Sequence, residues 1–155
     1  MPVGPVGDDE VLWRSIRLEF VTYPNGRKRL SSQAFNDAEW KPSVDRANLR
    51  ANPSETRLSG TDGIAQLLTS EVRDLTTIVV NPDEKKAGAK AYYKVDVVER
   101  AIPVGNPDGL PENPAHAQVE VDPKFANASR FNKLKDALCR LAESRDWVIE
   151  PKLET

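Results

Sequence analysis

His116 is the only histidine of the 155-residue chain, and it opens the stretch in which the side chains best suited to chemistry are spaced two apart. Ala115, Ala117, Val119 and Val121 alternate with His116, Gln118, Glu120 and Asp122, the period of a half-buried strand with one polar face. An imidazole, an amide and a carboxylate on one strand face can bind a ligand or move a proton. His116, at the mouth of the strand, is the first candidate site residue, with Gln118 and Glu120 beside it on the polar face. Arg14 is the second point of interest. It falls between Leu12 and Ile16 on the apolar side of an expected strand, where an unpaired guanidinium costs several kcal/mol. It must have an acidic partner, reach solvent at the strand end or line a cavity. Arg14 is therefore the second candidate site residue.

These residues need elements to hold them. The spacing predicts a first strand from Leu12 to Tyr23, then a hairpin at Pro24-Asn25-Gly26-Arg27 into 28–32. Over 31–45 the chain is polar but punctuated by Phe35, Trp40 and Val44, as in a loop pinned to a core. Ser32 is expected to cap a helical turn over 33–36, and Ser43 another over 44–49. Residues 50–62 read as an exposed connection. Ile64, Leu67, Leu68, Val72 and Leu75 form a helical stripe, so a helix capped by Thr61 or Asp62 is expected up to Leu75. Thr76 to Val80 reads as a short strand, Asp83 to Lys90 as a charged turn and Ala91 to Ala101 as a longer strand. The Pro- and Gly-rich loop 103–114 then delivers the chain to His116.

After Asp122-Pro123 a helix capped by Asn127 or Ser129 should bury Phe131, Leu134, Leu138, Leu141 and Ala142. Its opposite face, with Lys133, Lys135 and Asp136, should be solvated. Trp147-Val148-Ile149 is a last short strand. The order predicts one α+β domain over 11–150, a mainly antiparallel sheet packed against two helices, with a flexible start at 1–10 and a tail at 151–155.

Composition narrows the function classes. Lys+Arg 22 against Asp+Glu 24 leaves a net charge of -2, too balanced for nucleic acid as the main partner. One cysteine and one histidine cannot build an ordinary zinc site, and a lone Cys139 leaves no internal disulfide, as in a reducing cytoplasm. The start lacks the basic and apolar runs of a signal peptide, and no stretch has the roughly 18 apolar residues of a membrane span. Phosphate-binding loops, nucleophile elbows and helical zinc motifs are missing.

Arg14 on the first strand, the Ser31-Ser32 step after the second and Gln118-x-Glu120 on a later strand together resemble ADP-ribosyltransferases. The resemblance implies NAD as cofactor, Arg14 and Ser32 as its contacts, His116 beside the ribose and Glu120 as the catalytic acid. Ser31-Ser32-Gln33 stands where that group has Ser-Thr-Ser, and Ser32 and Glu120 are farther apart than in the group. Wider in coverage is a similarity to a group of small bacterial proteins. It is carried by Trp13-Arg14-Ser15-Ile16, Ser31-Ser32-Gln33-Ala34-Phe35, Ser43-Val44-Asp45, Pro114-Ala115-His116-Ala117 and Trp147-Val148-Ile149. It implies a bacterial intracellular origin and assigns no reaction. Taken together, these features point to a non-catalytic binding or accessory subunit that uses no cofactor and takes a protein partner. Its working surface would be the loops 31–46 and 103–122, with Phe35 and Trp40 at the interface.

Overall fold

A computed structural model describes residues 4–78, 80 and 91–152. The strands are β1 (Val11–Ile16), β2 (Val21–Thr22), β3 (Arg29–Leu30), β4 (Ser43–Arg46), β5 (Gly63–Leu68), β6 (Lys94–Glu99) and β7 (His116–Asp122); the helices are α1 (Thr69–Arg73) and α2 (Ala128–Glu143). Five strands form one sheet in the order β5-β1-β4-β7-β6, every neighbour antiparallel. β2 and β3 form the expected hairpin, with Val21 opposite Leu30. The expected α+β domain is thus observed.

One sheet face is apolar and carries the core. Leu12, Ile16, Val44, Leu67, Val95, Val97, Ala117 and Val119 are buried there together with Phe131, Leu134 and Leu138 of α2. Helix α2 starts where Asn127 Oδ1 accepts the Arg130 N–H at 3.1 Å. It also closes the hairpin: Glu143 accepts the Leu30 N–H at 2.7 Å and Arg140 donates to the Leu30 carbonyl at 3.0 Å. Lys135, expected on the solvated face, is only 5% exposed. Its ammonium lies over the Phe131 ring and reaches Asn36 Oδ1 at 3.4 Å, so the long apolar stem is spent on packing. Cys139 is buried, and desolvation raises its thiol to a pKa of about 11. That keeps it an unreactive core residue.

Several expected elements differ. The first strand stops at Ile16; Leu18–Phe20 is a 3-10 turn that reverses direction before β2. Ser31, not Ser32, caps the turn Ser32–Phe35. Ser43 starts a strand rather than a helix, and only Ala47–Leu49 is helical after it. The largest difference is β5, expected as a helix from its stripe. Gly63, Ile64 and Ala65 are all buried, so the alternation that marks a strand is missing, and pairing with β1 at six positions decides the conformation. Helix remains only over α1. The Trp147-Val148-Ile149 strand is reduced to a bridge between Ile149 and Ile64.

Residues 4–10, expected to be flexible, are held to the sheet. Val6 is 3% exposed, and the Gly4 and Pro5 carbonyls accept from Arg46. Ile78 and Val80 bond through their backbones to Tyr93 and Ala91. Val79, the expected charged turn at Asp83 to Lys90 and residues 153–155 of the tail lie outside the described residues.

Both rims of the sheet are covered in part. On β6, the Val97 N–H donates to Asp96 Oδ1 and the Val97 carbonyl accepts from Arg73 of α1. On β5, the Ile64 N–H donates to the Ile149 carbonyl at 2.8 Å and the Ile64 carbonyl accepts from Val148 at 2.9 Å, while the Gln66 side-chain Nε2 donates to the Asp146 carbonyl at 2.8 Å. The cover over β5 is close. A Cβ at Gly63 would lie 2.6 Å from Pro151 Cδ and 2.9 Å from the Ile149 carbonyl oxygen. Gly63→Ala is therefore expected to destabilise the fold by about 1–3 kcal/mol, seen as a lower urea midpoint with an unchanged slope.

Candidate functional site

β1 and β4 pair only at Leu12 with Arg46 and Trp13 with Asp45. Beyond these the strands part, and side chains take over the backbone groups that β4 turns toward β1. Asp37 Oδ2 accepts the Ser43 N–H at 2.8 Å, and Arg14 Nη1 donates to the Ser43 carbonyl at 2.8 Å. Arg14 also donates to Asp37 at 3.0 Å and to the Ala34 and Asn36 carbonyls at 2.9 Å. The guanidinium on the apolar face thus has an acidic partner and borders a cavity, two of the solutions its position demands. Burial pushes the Asp37 carboxyl upward, but the Ser43 N–H and Arg14 outweigh it and hold the pKa below the ordinary value.

Through this parting runs a cleft of about 600 Å³, bordered by Trp13, Arg14, Ser15, Ser43, Asp45, Asn113 and His116. Its wall is fixed by buried carboxylates. Asp45, 7% exposed, accepts from Arg50 Nε at 2.9 Å, Thr56 Oγ1 at 2.8 Å and Asn113 Nδ2 at 2.9 Å. Asp62, 5% exposed, accepts from Ser15 Oγ at 2.7 Å and Ser59 Oγ at 3.1 Å. The stretch 50–62, expected as an exposed connection, is therefore folded onto the polar face, with Thr56 and Asp62 buried.

His116 stands where its strand period places it, on the polar face opposite Asp45. Its Nδ1 is 2.8 Å from the Arg100 carbonyl oxygen and its Nε2 is 3.1 Å from Ser43 Oγ. Gln118 pairs across with Ser43 and Val98, and Glu120 with Asp96. Neither Gln118 nor Glu120 borders the cleft. Glu120 is held by Arg100 through two bonds, at 2.9 and 3.1 Å. Ser32 lies in the 3-10 turn and is likewise outside the cleft lining. Of the expected ligand and catalytic residues, Arg14 and His116 converge; Ser32, Gln118 and Glu120 do not join them.

The interface candidates also separate. Phe35 is fully buried beneath the Arg14 guanidinium, which lies 5.4 Å from its ring centre, so it serves the core and is not an exposed contact. Trp40 is 36% exposed and packs against Phe125 and Phe131. Glu39 and Trp40 both have left-handed backbone, φ 56 and φ 59, a conformation that costs on the order of 1–3 kcal/mol for each residue other than glycine. A second cavity of about 320 Å³ opens beside Trp40, Val121 and Phe125.

Sequence reasoning missed Trp13, Ser43 and Asp45 as parts of the site. Trp13 carried one signal, an aromatic on the polar side of a strand, and Ser43 and Asp45 stood only in a shared motif without a role. No group of three or more His, Cys, Asp or Glu among the described residues is placed to hold a metal ion, and no described helix is long and apolar enough to cross a membrane. Comparison with family models, curated proteins and solved structures finds no match to this chain.

Proposed function

We propose that the protein is a binding or accessory subunit of a bacterial intracellular multi-protein system, and that it recognises a protein partner through the cleft at Trp13. The observation that carries this reading is preorganisation. Asp45 and Asp62 are held by donors from this chain, so the walls they form are already ordered and cost little to order on binding. Trp13 borders it with an indole N–H that no described residue engages, and tryptophan is prominent among residues that dominate binding energy. The partly covered sheet rims favour side chains inserted in the cleft over an added strand. Arg14, Arg17 and Arg50 face one more carboxylate than their own number in the lining, Asp37, Asp45, Glu55 and Asp62, a near balance that suits a partner segment of low net charge. The reading asks for recognition alone.

The test is photo-crosslinking to host proteins from a probe beside the cleft, compared in Trp13→Ala, Trp13→Phe and Trp40→Ala variants. Loss of about 2 kcal/mol, some thirtyfold in affinity, is expected for Trp13→Ala, with partial retention in Trp13→Phe and full retention in Trp40→Ala. Loss in Trp40→Ala with retention in Trp13→Ala would instead move the recognition site to the second cavity.

A further inference from the structure

One pair in the cleft is arranged for more than recognition. We propose that Ser43 and His116 are a nucleophile and its base, and that the cleft hydrolyses an ester or thioester by way of an acyl-serine. This rests on the cleft being the ligand site and adds a reaction to it.

The hydrogen bonds settle the roles. A carbonyl oxygen only accepts, so at the 2.8 Å contact with Arg100 it is Nδ1 that carries the proton. In the neutral ring Nε2 is then the acceptor, and Ser43 Oγ lies 3.1 Å from it, within the reach that a serine and its base require. The orienting group, normally a carboxylate, is here the Arg100 carbonyl. Arg100 is itself fixed, its N–H donating to the His116 carbonyl at 3.0 Å and its guanidinium clasped by Glu120. Ser43 is fixed as well, its N–H held by Asp37 and its carbonyl by Arg14. Asp45, opposite His116 on β4, is spent on Arg50, Thr56 and Asn113 and does not compete for the imidazole. Both members of the pair border the 600 Å³ cleft. Trp13 and Gln33 border it too, with side-chain N–H groups that no described residue engages.

In the reaction Ser43 Oγ attacks the acyl carbon while its proton passes to His116 Nε2, and the carbonyl electron pair moves onto oxygen. Collapse expels the alkoxide or thiolate, which takes the proton from His116. Water then attacks the acyl-serine, giving a proton to Nε2. The acid leaves and Ser43 Oγ recovers that proton.

The experiment is labelling of the intact protein with a fluorophosphonate, which phosphonylates activated serines, and location of the adduct by peptide mass spectrometry. One adduct on Ser43 is expected. It should vanish in Ser43→Ala and form at least a hundredfold more slowly in His116→Gln, which retains hydrogen-bonding capacity toward Ser43 and Arg100. Trp40→Ala should label at the wild-type rate, and melting curves establish that each variant is folded. No adduct on Ser43 in the folded wild type, or an adduct formed at the same rate in His116→Gln, would overturn the proposal. If labelling fails while Trp13-dependent crosslinking persists, the chemistry falls and the recognition reading stands. If Ser43 labels as expected and the crosslinking fails, the reverse holds.

Discussion

Truncating Arg46 to alanine is expected to cost about 3–5 kcal/mol, the usual penalty for breaking a buried ion pair, and to lower the melting temperature by on the order of 10 °C. Arg46 and Glu10 are joined by two bonds of 2.8 Å, with side chains 5% and 9% exposed. Removing the cation leaves a carboxylate buried without its partner and releases the Gly4 and Pro5 carbonyls. That is more than a surface pair usually contributes. Glu10→Gln combined with Arg46→Met should recover part of the loss, because the stranded charge is gone. The pair also sets a pH dependence. The hydrogen bonds from Arg46 are the main cause that lowers the Glu10 pKa from its ordinary 4.5. A depressed carboxyl contributes stability that is present above the unfolded value and is lost as pH falls through the folded one. Urea midpoints measured on acidification below about pH 4.5 should thus fall steeply in the wild type and less steeply in Arg46→Ala.

Arg14→Ala is expected to cost about 3 kcal/mol and, unlike the Arg46 change, to disable the cleft. Four hydrogen bonds from one guanidinium tie the 34–43 loop to β1, and one of them reaches Ser43 itself. Without them the Asp37 carboxylate loses its cation and the Ala34, Asn36 and Ser43 carbonyls lose their donor. Arg14→Lys keeps the charge near Asp37 but lacks the planar fork, so it should restore less than half of the stability. Hydrogen exchange separates this from general unfolding. In Arg14→Ala the Ser43 amide should exchange faster by about the factor that the local loss implies, while amides of α2 follow global stability. Labelling of Ser43 should slow in parallel, since its backbone is no longer held on both sides.

How much of this was legible in the sequence follows from which interactions are local. The His116 strand, the hairpin and α2 were readable, because alternation, a Pro-Asn-Gly turn and an asparagine cap with an amphipathic stripe act over a few residues. Arg14 was legible as a conflict: a cation on an apolar face demanded compensation, and the molecule supplies it with Asp37 and the cleft. β5 was not legible, since a strand buried on both faces at its start loses the period that would reveal it. Nor was Ser43. Its role depends on His116, 73 positions away, and on a parting of two strands that no local pattern encodes. Glu120 shows the opposite error. Its strand position was right, but Arg100, from β6's far end, had already claimed it.

The cover on β5 carries a consequence for how the molecule is made. The backbone of Ile64 is closed over by Val148 and Ile149, far later in the chain, so during synthesis β1 and β5 can pair long before the segment that seals the outer strand leaves the ribosome. Through that interval the nascent sheet presents a bare rim of unpaired amides and carbonyls, the surface on which a neighbouring chain can seed a fibril. Exposure to aggregation is therefore concentrated in the unfinished polypeptide and ends when Trp147-Val148-Ile149 docks.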